Sequence, residues 1–203
     1  MLAAAVSGKP LRQVHRWVTE GNISDTAEIL ADAGYVGPVA ALRGLAKQPD
    51  RTRGSVYATA QRMSSAMVHD HLMAWMTPTP GLPVFDPFTF ATSTDTLILL
   101  THDQAGPLAA FVSSLVTQVA NGAVAEAGRH QSERLPVPML MDLDECGNVV
   151  RLPDLPDWYT HFGSKGIIIN SYFQSPAQGE ASYGREKFAQ LWDAAGARVF
   201  GGG

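Results

Sequence analysis

Cysteine is almost missing from this chain: Cys146 stands alone, which excludes an internal disulfide and fits a reducing compartment. Positive charge is also short. Fifteen Lys and Arg face nineteen Asp and Glu, a formal net charge of −4, so no global basic field advertises nucleic-acid binding. Any contact with DNA must be local or made by an assembly. No apolar run approaches the ~20 residues that cross a bilayer, and no membrane span is expected. Met1 to Val6 is apolar but lacks a charged start and is too short for a signal peptide. Absent too is the pattern GxxxxGK[ST], whose backbone N–H groups and lysine cradle phosphates between a strand and a helix. Ser7-Gly8-Lys9-Pro10 is no substitute: no strand precedes it, the first glycine is missing, and proline removes an N–H.

What is present belongs to an ordinary globular protein. The 203 residues are 45% hydrophobic and 17% charged, enough for one domain, or a core with an insertion, around a sizeable apolar centre. Residues 1–9 read as the tail of a core helix. Residues 10–80 carry helical signals and no convincing strand. Pro10 suits a first turn, and Leu11, Val14 and Val18 recur at helical spacing. Ser24-Asp25 would cap a second helix, with Glu28 completing a capping box and Gly34 ending it. Val39 to Ala46 gives a third and Thr52 to Trp75 a long fourth, where Met63, Met67 and Met73 read as core packing, as does Trp17. The segment Thr77-Pro78-Thr79-Pro80-Gly81-Leu82-Pro83 is a linker. From residue 81 to 203 strands and helices alternate. Strands are expected at 96–101, 137–143, 166–172 and 197–200, and helices at 104–128, 154–162 and 184–195. Alternation with buried apolar strands implies a parallel sheet covered by helices on both faces, an α/β fold with an all-helical subdomain.

The chemistry concentrates at Pro138-Met139-Leu140-Met141-Asp142-Leu143-Asp144-Glu145. A short apolar strand that ends in Asp-Glu can present a carboxylate to a magnesium ion at the carboxyl edge of a sheet, where ligands of open parallel sheets bind. Asp144 would hold the metal or its water shell, and Glu145 would orient or deprotonate an attacking water. Gln174 ends the next strand and would aim a neutral amide into the same crevice, with Ser175 assisting. Asp142 shares a face with Asp144, because strand positions alternate. It must be paired, protonated or close to water. Lys165 and Arg198 are candidate cations, and a solvated turn lysine is the favoured reading of Lys165. His69-Asp70-His71 looks like a ligand cluster, but residues two apart on a helix diverge. Cys146 reads as a small buried filler.

Beyond the acid pair the order of short motifs resembles the nucleotide-binding core of the TraG/TraD family, the coupling ATPases of conjugative type IV secretion, in its actinobacterial form. The residues that carry the resemblance are Leu143-Asp144-Glu145, Gly147-Asn148, Arg151-Leu152-Pro153-Asp154-Leu155-Pro156, Gly163-Ser164-Lys165-Gly166-Ile167, Phe173-Gln174-Ser175, Tyr183-Gly184 and Val199-Phe200-Gly201-Gly202. More loosely, Leu11 to Val18 is similar to the start of that family's helical insertion, and Phe85-Asp86-Pro87 with Thr96 to Leu100 to its return to the core.

The resemblance implies a fragment of a RecA-like P-loop NTPase core, lacking its phosphate loop, which would precede Met1. It implies ATP and Mg²⁺ as cofactors. Asp144, Ser175 and Lys165 would sit at the nucleotide, Asp144 at the metal, and Glu145 and Gln174 would be catalytic, with Gln174 sensing the terminal phosphate. Family members often carry arginine where Lys165 stands and an apolar residue where Asp142 stands; lysine keeps the charge but loses the planar fork. The resemblance further implies a homo-hexameric ring in the full-length protein, at the cytoplasmic inner face of the cell membrane. Such a ring would pass DNA or relaxosome substrate to secretion-channel proteins, and the chain alone would be inactive. Two other readings are a different ring DNA translocase of the same class, or a non-enzymatic module that binds relaxosome accessory proteins.

Overall fold

The computed structural model describes residues 1–100, 107–147 and 152–201. Thr101, residues 104–106, Asn148, Arg151 and Gly202, on which parts of the expectations fall, lie outside them. The chain divides into two compact units, Met1–Val84 and Phe85–Gly203, each described by itself below.

The first unit is helical throughout. Helix α1, Leu2–Ser7, stops at Gly8, whose φ of 62° is a left-handed turn that suits glycine. Pro10 then precedes α2, Leu11–Glu20, and fixes an extended entry. Helix α3, Ile23–Asp32, is capped by Asn22, which accepts the Asp25 N–H at 3.2 Å. The cap thus falls two residues before the expected Ser24, and Asp25 and Glu28 form no capping box; Asp25 instead takes a hydrogen bond from the Asn22 amide at 2.8 Å. Helix α4 runs Val36–Ala46.

The long fourth helix does not form. Helix α5, Asp50–Met63, ends at Ser64, a short 3₁₀ turn covers Ser65–Val68, and α6 follows as Asp70–Met76. The break has a local cause. Ser64 is buried, and its hydroxyl is shared between the His15 ring at 2.9 Å and the Gln61 carbonyl at 3.3 Å, a side-chain alternative to the helical ladder. After the break Met67 and Met73 enter the core with Ala4, Val14, Trp17, Leu30 and Val39, whereas Met63 is 81% exposed and packs on nothing central.

In the second unit Asp86 caps α7, Pro87–Phe90, and Gly122 of α8, Pro107–Ala127, lies directly under it: a Cβ there would be 2.6 Å from the Pro87 carbonyl. Strands β1, Met139–Leu143, and β2, Ile167–Ser171, pair in parallel, with Leu140 opposite Ile168 and Asp142 opposite Asn170. Helix α9, Leu155–Lys165, makes the crossover. Helix α10, Pro176–Tyr183, and α11, Arg185–Ala194, follow. Met141, Leu143 and Ile167 turn one sheet face into a core with Leu152, Leu155, Trp158, Phe162, Ala120, Ala123 and Ala127. Gly179 of α10 lies under the Phe188 ring of α11, where a Cβ would overlap it.

The RecA-like expectation is overturned. Helix makes up 61% of the structure, and among the described residues only two strands form. The helices cover one sheet face, and Leu140, Asp142, Ile168 and Asn170 on the other are exposed. The two missing strands have physical explanations. Residues 96–100 are apolar but have no ladder partner among the described residues, and Ile98 and Leu100 are 72% and 86% exposed. Residues 197–200 fold back locally, with Arg198 donating to the Trp192 carbonyl at 2.7 Å and the Phe200 ring tilted against that of Trp192. One further correction concerns α8. Leu108–Ala127 has a mean hydropathy of 1.5 and the length to cross a bilayer, because its scattered Ser, Thr and Asn weigh little in the average. Here it supplies three fully buried alanines to the core.

Leu155 is fully buried at the centre of this core. Replacing it by alanine should destabilise the second unit by about 2–5 kcal/mol, measurable as a lower urea midpoint followed by Trp158 fluorescence.

Candidate functional site at the carboxyl edge of the strands

Parallel pairing brings the carboxyl ends of β1 and β2 to one edge, and both chains turn there. After Leu143 the backbone bends through Asp144–Gly147 with Glu145 in the left-handed region at φ 49°, which costs roughly 1–2 kcal/mol for a residue with a Cβ. Four hydrogen bonds hold it. Tyr172 N–H donates to the Leu143 carbonyl and Cys146 N–H to the Tyr172 carbonyl, each at 3.1 Å. Glu145 N–H donates to Asp144 Oδ1 at 2.9 Å, and the Cys146 thiol donates to the Leu143 carbonyl at 3.1 Å. The turn therefore prolongs the ladder.

Asp144 is exposed and Glu145 half-buried at this turn. Gln174 reaches it from the end of β2, its Nε2 lying 3.4 Å from Glu145 Oε1. Ser175 caps α10: its hydroxyl accepts the Gln178 N–H at 3.2 Å. Lys165 is not at this edge. It precedes β2, a strand's length away, roughly 16 Å, and its ammonium is engaged by Glu133 at 2.8 Å. That pairing holds the Glu133 carboxyl below its usual range, first through the Lys165 hydrogen bond and then its charge. Arg198 is spent on the end of α11, over the Trp192 ring and on two carbonyls. Asp142 is both exposed and paired: the Tyr172 hydroxyl hydrogen-bonds to it. That bond, then the charges of Asp142 and, less, Asp144, raise the Tyr172 pKa.

Two residues at the site escaped the sequence reading. Gln178 Oε1 accepts the Gln174 backbone N–H at 2.8 Å, and its side chain lies against Gly147, where a Cβ would come within 2.7 Å of Gln178 Cδ. Ser182 Oγ lies 3.1 Å from the Gly147 carbonyl and 2.9 Å from that of Gln178. The signal was there: Ser175-Pro176-Ala177-Gln178 is the S-x-x-Q capping pattern with proline at the first helical position.

Among the described residues no group of three or more His, Cys, Asp and Glu converges as a metal cage, His69 and His71 included. Mg²⁺ does not require one, since it keeps several waters and takes one or two carboxylates with phosphate oxygens. The exposed oxygens of Asp144, beside Asp142, fit such an ion. Phosphates are another matter: among the described residues singled out as candidates, no cation stands at this edge.

Residues 138–203, about a third of the chain, match a protein family described as the TraM recognition site of TraD and TraG. Over these residues the chain is similar to TraG/TraD-type conjugation proteins. No curated protein and no solved structure matches the chain.

Cys146 lies fully buried beneath the acid turn, and desolvation, first among the causes, pushes its thiol up to about 12 from 9.0. The folded protein therefore keeps a proton that the unfolded chain gives up. Stability from this group is complete below pH ~9 and falls as pH rises through the window up to ~12. Iodoacetamide at pH 8 should leave Cys146 unmodified in the folded protein and label it in 6 M guanidinium, as mass spectrometry will record.

Proposed function

We propose that this chain works in conjugative transfer as part of a coupling protein, and that its second unit binds a relaxosome accessory protein through the open face of β1 and β2. The observation that carries this reading is the coincidence of the family match with an uncovered apolar surface. Leu140 and Ile168 are direct register partners, 61% and 48% exposed, and Tyr172 at the strand end is 51% exposed. Exposed apolar groups in such an arrangement mark an interaction surface. Asp142 lies on the same face between Leu140 and Tyr172, Asp144 stands at the strand end, and residues 85–203 carry thirteen Asp and Glu against seven Lys and Arg. The partner surface should accordingly combine apolar groups for Leu140, Ile168 and Tyr172 with basic groups opposite Asp142 and Asp144. Titration calorimetry against the accessory protein of the same transfer system tests this. Replacing Leu140 and Ile168 together by Asp should weaken binding at least tenfold. Asp142→Asn with Asp144→Asn should weaken it less, and should flatten its salt dependence. Unaltered affinity in the first variant would sink the reading.

A second role is favoured by the 3.4 Å contact between Gln174 and Glu145. In it this edge supplies the metal-and-water half of ATP hydrolysis, with ATP and Mg²⁺ as cofactors. Asp144 would hold the ion through its exposed oxygens, Glu145 would take the proton of a water, and Gln174 would orient that water with its amide. Magnesium would supply charge stabilisation at the phosphate oxygens. The assembly would be a homo-hexameric ring at the cytoplasmic face of the cell membrane, handing DNA or relaxosome substrate to secretion-channel proteins. Glu145→Gln in the coupling protein should lower Mg²⁺-dependent ATP turnover about 10²-fold or more without lowering affinity for the accessory protein.

A further inference from the structure

We infer that Gln178 is a positioning residue: it aims the Gln174 amide at Glu145 by holding Gln174's backbone and closing over Gly147. The inference rests on the second role above, in which Gln174 and Glu145 act together on water. Three pieces of chain meet at this one residue. Its Oε1 accepts the N–H of Gln174 at 2.8 Å, which ties it to the segment after β2. Its Cγ and Cδ fill the space over Gly147, at the acid turn. Its own N–H is fixed by Ser175 Oγ at 3.2 Å, on α10.

An ordinary capping box sends the third helical residue back to the N–H of the capping residue itself. Here the acceptor lands one residue earlier, on Gln174, so the cap constrains the residue whose side chain faces Glu145. Glycine at 147 is part of the same device: a methyl group there would have to displace Gln178. A cap that merely stabilised α10 would need neither the contact with Gly147 nor the bond to Gln174.

The test separates the hydrogen bond from simple packing. Gln178→Met keeps the length and volume but removes the acceptor; Gln178→Glu keeps the acceptor. In the 203-residue chain, Gln178→Met should speed amide exchange at Gln174 at least tenfold and shift the Gln174 side-chain amide resonances, as Glu145→Gln also should. Gln178→Glu should restore the protection at Gln174. The ladder amides of Met141 and Asn170 should keep their protection in every variant. If Gln178→Met leaves Gln174 unchanged, or loosens Met141 and Asn170 equally, the positioning role is wrong. In the coupling protein, Gln178→Met should lower kcat about tenfold with KM for ATP unmoved, and Gln178→Glu should recover part of it. Full activity of Gln178→Met beside an inactive Glu145→Gln would overturn the positioning role alone. An active Glu145→Gln would overturn the acid-pair reading and the inference with it.

Discussion

The carbonyl of Leu143 is the point on which the second unit turns. As the last carbonyl of β1 it accepts the Tyr172 N–H, which extends the parallel pairing by one step, and it also accepts the Cys146 thiol. The first bond brings residues 172–175 beside residues 144–147. The second, with the Tyr172 carbonyl holding the Cys146 N–H, bends the chain back so that Glu145 can occupy a left-handed conformation. Burial of Cys146 makes these bonds durable, since water cannot compete for a carbonyl beneath the core. Asp144, Glu145, Gln174 and Gln178 meet only because this corner closes.

The same pairing leaves the sheet half covered. Alternation sends Met141, Leu143 and Ile167 into the core and Leu140, Asp142 and Ile168 outward. A two-stranded sheet with apolar side chains on its outer face gives up burial free energy of about 25 cal/mol for each Å² of apolar surface left in water. An accessory protein that covers this face would recover it. The exposed acids Asp142 and Asp144 on the same side would then favour a partner of opposite charge.

Much of the local structure was legible in the residues. The acid-ended apolar run became β1, the Ile167 run became β2, and Pro10 and Gly8 bracket a turn between helices. What failed was information that is not local. Residues 96–100 and 197–200 have strand-like composition, but a strand exists only with a ladder partner, and Arg198 and Phe200 find α11 instead. The resemblance implied a whole layered architecture, whereas pairing realised two strands. Ser64 looked like a helix residue because its rival partner, His15, lies 49 positions away. For Lys165 a solvated turn lysine is the favoured reading and the nucleotide role comes from the resemblance, and nothing in its neighbours announces Glu133. Gln178 differs from these: its capping pattern is local and readable in Ser175-Pro176-Ala177-Gln178, but the contact with Gly147 that gives it its place is 31 residues away.

Two claims stand together at this edge, recognition and hydrolysis, and recognition is the central one, since it joins the family match to the uncovered surface. Mapping the accessory protein onto the chain by backbone resonance shifts tests it most directly. The account predicts that shifts concentrate on Leu140, Asp142, Ile168, Asn170 and Tyr172 and spread to the Asp144–Gly147 turn. Shifts confined to residues 1–84, or none at saturating partner, would contradict it.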